Sequence, residues 1–160
     1  MATPTYIALA TTTLSGGETS VTFSSIPSSY RDLVAVITPL HASGTHGGRM
    51  RFNSDTGSNY SSVQMAGDGS SASSSSGTTT ALSNWVAKTT VSSVIFQIMD
   101  YSATDKHKTL LLRNNKNTER VSMIAGRWAS TSAITSISLF TLPSGGYTSG
   151  TFSLWGSNRL

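Results

Sequence analysis

The chain has 160 residues, a net charge of +4 and no cysteine, which suits one domain and excludes disulfides and thiolate metal sites. Charged residues make up only 11%, whereas the chain contains 30 serines and 23 threonines. Because small hydroxyls compete with the helical backbone for hydrogen bonds and threonine fits a pleated strand, this composition favours a single all-β domain over a helical one.

Short alternating segments run through the chain and predict eleven strands. In chain order they cover residues 6–13, 20–24, 32–38, 49–53, 61–66, 81–87, 92–99, 108–113, 120–128, 134–141 and 151–155. The segment "SSVIFQIMD" is almost continuously apolar, which predicts a central strand covered on both faces. We expect one antiparallel β-sandwich over residues 1–160, jelly-roll-like in its winding.

Turn-forming residues support these boundaries. Pro27 in "SIPSSY" fixes φ and withholds a backbone donor. In "SDTGSN", the side chains of Asp55 and Asn59 can bond nearby backbone groups, and Gly57 can adopt a positive φ. We therefore expect Pro27, Asp55, Gly57 and Asn59 to define turns of the fold.

Residues 67–80 have the composition of a Gly/Ser linker, yet the next segment, "ALSNWVAK", reads as another strand. We therefore predict a long surface loop inside one domain, and loops beyond about 12 residues are often functional or disordered. This loop is the segment expected to contact a partner. At the start of the chain, residues 1–5 are predicted to form an N-terminal arm that can reach a neighbour.

The sequence gives little support for catalysis. His41 and His46 lie five residues apart in "LHASGTHGGR" without a metal-binding spacing, which favours a Gly-rich loop over a metal site. No G-x-S-x-G elbow occurs, although a Ser–His–Asp triad dispersed along the chain stays open. The seven carboxylates fall mostly in predicted turns rather than in a facing pair. We expect no catalytic residue, no metal and no cofactor.

The charges do not indicate a nucleic-acid partner. The nearest cationic cluster is thinly spread with acids among it, and a solvated face explains it better than phosphate binding: Lys106, Lys108, Arg113, Lys116 and Arg120. No apolar run approaches the ~20 residues of a membrane span. We expect neither nucleic acid nor a membrane as a partner.

Four aromatic residues near predicted strand ends or loops are candidates for a protein interface or for stacking on sugar rings: Trp155, Tyr147, Tyr60 and Trp85. Packing in the core is the alternative for each of them. On the last strand, Phe152 and Leu154 should share one face and Trp155 the other. An outward Trp155 would form an exposed apolar patch unless a neighbouring subunit covers it.

Four segments carry a resemblance to known proteins: "VTFSSIPSSYRDLVAVI", "MRFNSDTGSNYS", "RWASTSAITSISLF" and "GTFSLWG". With its F-x-x-I-P-x-x-Y-x-D-L, R-F-N-x-D-x-G-x-N-Y and F-x-L-W-G patterns, the chain resembles a group of small bacteriophage virion proteins. These are surface or tail-associated modules, notably in phages of cyanobacteria and other aquatic hosts. The similarity spans nearly the whole chain, and its motifs look structural rather than catalytic.

This resemblance implies a non-enzymatic structural protein on the virion surface, assembled in the host cytoplasm as a homotrimer. Capsid decoration or cement is the first expectation, with other virion proteins of the capsid or tail as partners. The alternative is a tail-tip or tail-fibre receptor-binding module that holds host polysaccharide through loop 67–80 or through residues 145–150 with Tyr147. An enzyme such as a depolymerase stays open as a third function.

Overall fold

The structure is a computed structural model that describes residues 4–41, 45–88, 92–116, 120–142 and 146–158. These residues form strands and no helix, as the composition predicted, and therefore no helix long and apolar enough to cross a membrane. The strands are β1 (Tyr6–Leu14), β2 (Ser20–Phe23), β3 (Leu33–His41), β4 (Thr45–Phe52), β5 (Tyr60–Gly67), β6 (Ala72–Thr79), β7 (Leu82–Lys88), β8 (Val94–Met99), β9 (Lys108–Lys116), β10 (Arg120–Trp128), β11 (Ile137–Leu142) and β12 (Tyr147–Ser157).

Eight of these strands pair in a nested way, the first with the last and so on inwards. β1 pairs with β12, β2 with β11, β3 with β8 and β4 with β7, all antiparallel. The result is two layers, β1-β12-β3-β8 and β2-β11-β4-β7, joined by one parallel bridge between Leu40 and Lys88. This is the winding of a jelly roll, so the predicted antiparallel β-sandwich is confirmed.

Two inserted hairpins widen the first layer. β5 and β6 follow β4, β9 and β10 follow β8, and these four strands continue the sheet in the order β8-β9-β10-β5-β6. We call β9, β10, β5 and β6 the wing. The larger sheet therefore has eight strands, with β1 at one edge and β6 at the other.

The prediction of a surface loop over residues 67–80 was wrong for most of that segment. Ala72–Thr79 is strand β6, and all eight of its residues are exposed. Its serine-rich composition indicated a linker, but β5 supplies the main-chain partners that a linker lacks. The turn itself is short, because Asp68 Oδ1 accepts the backbone N–H groups of Ser70 and Ser71 at 2.9 and 2.7 Å.

One apolar core fills the space between the two layers. Phe96 and Phe152 in the larger sheet and Met50 in the smaller sheet are each at most 1% exposed. The alternation predicted for the last strand is confirmed, since Phe152 and Leu154 are buried while Trp155 is half-buried on the other face. The core is thus built from one face of each sheet, which leaves the opposite faces outside.

Strand β8 departs from the prediction of a strand covered on both faces. Val94, Phe96 and Ile98 point into the core, whereas Gln97 and Met99 are exposed on the outer face of the larger sheet. Met99 exposes 51% of its surface. The apolar run of β8 therefore combines a core face with an outer face whose last residues the described part of the chain leaves exposed.

The F-x-L-W-G segment packs against the F-x-x-I-P-x-x-Y-x-D-L motif, which contains Tyr30. A Cβ at Gly156 would lie 2.4 Å from Cγ of the Tyr30 ring, so glycine is required here by the close approach of the ring. Backbone hydrogen bonds fix this contact, because the Arg31 N–H donates to the Ser157 carbonyl and the Ser157 N–H donates to the Asp32 carbonyl, both at 2.9 Å.

We expect Gly156→Ala to lower the free energy of unfolding by about 1–3 kcal/mol, because the new methyl group displaces the Tyr30 ring. Chemical denaturation measures the loss. Gly77→Ala is the matched control, since nothing lies within 4 Å of a Cβ at Gly77. Gly156→Ala combined with Tyr30→Ala should cost less than the two single changes added together, and strict additivity would contradict the packing explanation.

Candidate functional site

The structure separates the four aromatic residues predicted as contacts. Tyr60 and Tyr147 are 0% and 1% exposed, so the prediction that they contact a partner or a sugar was wrong. Trp155 lies half-buried on the outer face of the larger sheet. The side chain of Trp85 lies outside the described residues, although its backbone belongs to β7. These residues therefore do not form one site.

Tyr60 belongs to a buried aromatic cluster that holds the connection from β4 to β5. Its ring centroid lies 6.2 Å from that of Phe52 and 6.4 Å from that of Trp128. The Phe52 N–H donates to the Tyr60 hydroxyl at 3.0 Å, and this hydroxyl lies 3.3 Å from the carbonyl oxygens of Phe52 and Asp55. Burial raises the pKa of Tyr60 to about 12, so the hydroxyl stays protonated and serves the turn.

Asp55 is the hydrogen-bond centre of the same turn. Its carboxylate accepts the Gly57 N–H at 2.8 Å, Asn59 Nδ2 at 2.9 Å and Trp128 Nε1 at 2.7 Å. The Trp128 indole, followed by the Asn59 amide, holds the pKa of Asp55 below its usual value. Asp55 thus bonds a nearby backbone group as predicted, whereas the Asn59 side chain bonds the Asp55 carboxylate instead of the backbone. Trp128 in β10 is an additional partner of Asp55.

The positive φ values of this turn lie at other residues than predicted. Asn53 and Ser54 have φ values of 50° and 57°, whereas Gly57 does not have a positive φ. Gly57 is constrained by space, because a Cβ there would lie 2.8 Å from Asn59 Nδ2. Asn53 Oδ1 also accepts the Thr135 N–H at 2.9 Å, so the motif ties two distant segments together.

Pro27 precedes a turn over residues 28–29. Its carbonyl accepts a hydrogen bond from the buried Tyr101 hydroxyl, and the neighbouring Ile26 N–H donates to the Thr135 carbonyl at 3.0 Å. Near the start of the chain, the Thr5 carbonyl accepts the Asn158 N–H at 3.0 Å. Of the predicted arm, residues 1–3 lie outside the described residues, and Thr5 is held against the chain itself.

We expect Trp128→Phe to lower the free energy of unfolding by about 1–3 kcal/mol at neutral pH, and by less in acid. The indole favours ionised Asp55, so the folded-state pKa lies below the unfolded value of about 3.9. The stabilisation that the indole gives through ionised Asp55 is therefore complete above the unfolded pKa and is lost as the pH falls through the folded-state pKa. Measured by urea denaturation, the difference in free energy of unfolding between wild type and variant should therefore be constant above about pH 4 and smaller below it.

The matched background for this measurement is Asp55→Asn, which removes the ionisable group and keeps the shape. In that background, Trp128→Phe should have an effect that no longer changes between neutral and acid pH. If the loss of unfolding free energy caused by Trp128→Phe shrinks in acid by the same amount with Asp55 and with Asn at position 55, the acid dependence comes from another group.

The predicted cationic cluster is not one solvated face. Lys106 Nζ lies 3.3 Å from Asp100 Oδ2. Lys108 is 1% exposed, and its Nζ donates to the carbonyls of Lys106 and Thr131 at 2.9 and 3.2 Å. Burial lowers the pKa of Lys108. These two lysines therefore serve local structure, and Arg113 lies apart from them on the outer face of the wing.

Exposed apolar side chains cover the outer face of the wing. Strand register places Met123 opposite Met65, and Ala125 opposite both Val63 and Leu111. Five large members expose between 39% and 63% of their surface, and we call them the outer wing patch: Val63, Met65, Leu111, Val121 and Met123. Monomeric proteins rarely leave such contiguous apolar surface without a partner.

The chemistry of this face suits contact with another protein. Two shallow hollows lie on it, one between Met65, Val121 and Met123, the other between Val63 and Arg127. Among the side chains described on this face, Arg113 and Arg127 are the charged ones. The face can bury apolar area and donate hydrogen bonds, and two guanidinium groups favour an acidic neighbour.

Sequence reasoning missed the outer wing patch, although a signal was present. In "VSMIAGRW" and "YSSVQMAG", large apolar residues occur at both odd and even positions of the strand, so they lie on both of its faces. Ile124 and Trp128 face the core, whereas Val121 and Met123 face outwards. A strand that is apolar on both faces needs cover on both sides, and none of the described residues covers the outer side.

Among the side chains that the structure describes, no group of three or more His, Asp or Glu is placed to hold a metal ion. His41 and His46 are described in their backbone alone. Comparisons with protein families, with curated proteins and with solved structures find no match to this chain.

Proposed function

We propose that this protein is a non-enzymatic structural protein of a bacteriophage virion, an exterior module that docks on the particle as decoration or cement. The outer wing patch carries this proposal, because five exposed apolar side chains on one rigid sheet face suit a permanent contact with another protein. The motif resemblance to virion proteins supplies the particle as the partner.

The contacts made by the shared motifs support a structural role. The R-F-N-x-D-x-G-x-N-Y motif meets the "RWASTSAIT" segment through the bonds from Trp128 to Asp55 and from Thr135 to Asn53. The first motif meets the chain end where Tyr30 packs on Gly156. Each of these motif side chains has a partner inside the fold, so the motifs maintain the sandwich, and the docking surface lies elsewhere.

The mechanism would be interfacial. Burying apolar surface contributes about 25 cal/mol per Å² before the costs of association. A sheet face loses little conformational freedom on docking, because its backbone is already fixed by hydrogen bonds on both sides. Contacts that span neighbouring subunits of a shell would lower the free energy of the closed particle, and this is the action expected of a cement protein.

The copy number per virion tests the proposal. A decoration protein should be present at about the number of capsid subunits, measured by quantitative gel electrophoresis of purified particles. A far smaller number, together with binding of the free protein to host cells, would support the tail-tip alternative. That alternative has lost two of its four predicted sugar-stacking residues, since Tyr60 and Tyr147 are buried. Absence from purified particles would overturn the virion role.

A depolymerase would give a different result. Incubation of the protein with host polysaccharide should release no reducing ends. Release that disappears when one carboxylate is substituted would overturn the non-enzymatic proposal, whatever the copy number.

A further inference from the structure

We propose that strand β6 is a pairing edge for a second copy of this chain, so that the β6 strands of two chains lie antiparallel about a twofold axis. The free edge of the larger sheet carries this inference, and it stands independently of docking on a particle. The partner is defined by its chemistry: an extended, uncharged, hydroxyl-rich strand that β6 itself provides.

β6 lacks the features that usually protect a free edge, which are charges, prolines, bulges and short length. Its sequence, ASSSSGTT, contains no charge and no proline. Its register with β5 runs from Tyr60–Thr79 to Gly67–Ala72 without a shift. At ~3.4 Å per residue, the strand presents about 27 Å of regular backbone. Its outward N–H and C=O groups are available to a further strand.

The other edges of the sandwich are less suited to pairing. β1, at the opposite edge of the larger sheet, has a register shift between Ala8 and Ala10. In the smaller sheet, β2 has only four residues, and β7 is bridged to β3. β6 is therefore the long and regular edge strand of the sandwich, and no other described strand pairs with its outer side.

A second copy matches this edge in side chains as well as in backbone. In a β6–β6 pair every cross-strand neighbour is Ala, Ser, Gly or Thr, so no like charges meet. Hydroxyl groups both donate and accept, so Ser and Thr can bond one another across the seam. Strand addition by an unrelated peptide takes its specificity from side-chain pockets, whereas β6 carries nothing larger than threonine. A twofold contact also closes on itself.

Charges elsewhere on the wing do not oppose this arrangement. Arg127 lies on β10, two strands inward from β6. Across the seam, the two copies of Arg127 are separated by five strand spacings, about 24 Å at ~4.8 Å each. This exceeds the screening length of about 8 Å at physiological salt. Stacking the two outer faces directly on each other would instead bring the arginines of both copies into one contact.

The pairing is expected to be weak in dilute solution. Small side chains bury little area, and stable interfaces need about 1,000 Å² or more. Copies held close together on a particle would pair at a much higher effective concentration. The homotrimer implied by the resemblance stays a prediction and is compatible with this contact, because a twofold axis at β6 would join two trimers.

Light scattering over a concentration series tests the pairing. With rising concentration, the mass should approach an even multiple of the 16.8 kDa chain. The single variants Ser74→Lys and Ser76→Lys each place a charge on the exposed edge of β6. Each should halve the mass of the largest species. Thr13→Lys puts the same charge on the exposed edge β1 and should leave the mass unchanged. Circular dichroism spectra of all three variants should match that of the wild type, as expected if each variant keeps the fold.

Cysteine crosslinking gives a second readout, because the chain has no cysteine of its own. Under oxidation, single cysteines at positions 74, 75 and 76 should yield linked dimers, most efficiently at the position nearest the axis. Thr13→Cys should yield none above background. A mass that the β6 lysines do not change, or equal crosslinking at Thr13→Cys, overturns the inference.

Discussion

Phe52→Ala is expected to lower the free energy of unfolding by about 3–5 kcal/mol, a large share of the 5–15 kcal/mol that holds most domains folded. Phe52 is 0% exposed. Its ring centroid lies 5.5 Å from that of Trp128 and 6.2 Å from that of Tyr60. Removing the ring leaves a cavity at the point where β4, β5 and β10 meet, and urea denaturation measures the cost.

Two other substitutions separate cavity formation from the loss of any aromatic ring. Phe52→Leu keeps most of the volume and should cost less than about 1.5 kcal/mol if the cavity dominates. Phe140 lies half-buried on the outside of the smaller sheet, with the Arg51 guanidinium 4.8 Å from its ring centroid. Phe140→Ala should therefore be much less costly than Phe52→Ala. Equal losses at the two positions would contradict the assignment of Phe52 to a motif that maintains the fold.

Met65→Glu combined with Met123→Glu is expected to weaken the proposed docking on the particle by about 30-fold or more, equivalent to about 2 kcal/mol. The two residues lie opposite each other, exposed by 63% and 43%. Carboxylates placed at the centre of an apolar contact would have to be buried without partners. Pelleting with particles that were assembled without the protein measures the bound fraction at each concentration.

The fold should tolerate these glutamates, since substitutions of exposed residues usually change stability by no more than about 0.5 kcal/mol. Leu142→Glu is the matched control, because Leu142 is 47% exposed on β11 in the other sheet. It should leave docking unchanged. Docking that resists the double change but is lost with Leu142→Glu would move the contact surface to the smaller sheet.

Alternation of apolar and polar residues was sufficient to predict the sandwich, because each core strand needs one buried face. Phe152 and Leu154 illustrate this, being two residues apart and both buried. β6 carries no apolar residue larger than alanine, so it has no such pattern. Its strand conformation comes from pairing with β5, and a neighbour in space cannot be read from local composition.

The outer wing patch was harder to predict for a related reason. Tyr60 and Met65 are both large and apolar, and they lie on one strand in opposite phases of its alternation. Hydrophobicity alone would bury Met65, whereas the structure buries Tyr60 and exposes 63% of Met65. The choice depends on which side faces the second layer. Only the position of β5 within the larger sheet determines that, and this position follows from long-range strand order.

The nested pairing of the jelly roll has a consequence for biosynthesis. β1 completes its hydrogen bonds with β12, so a chain emerging from the ribosome cannot close its larger sheet until β12 has been synthesised. Such distant pairings fold slowly, on millisecond to second timescales. Until then β1 and β3 lack the β12 that lies between them, and a nascent chain that has not yet made β12 would depend on chaperones to stay soluble.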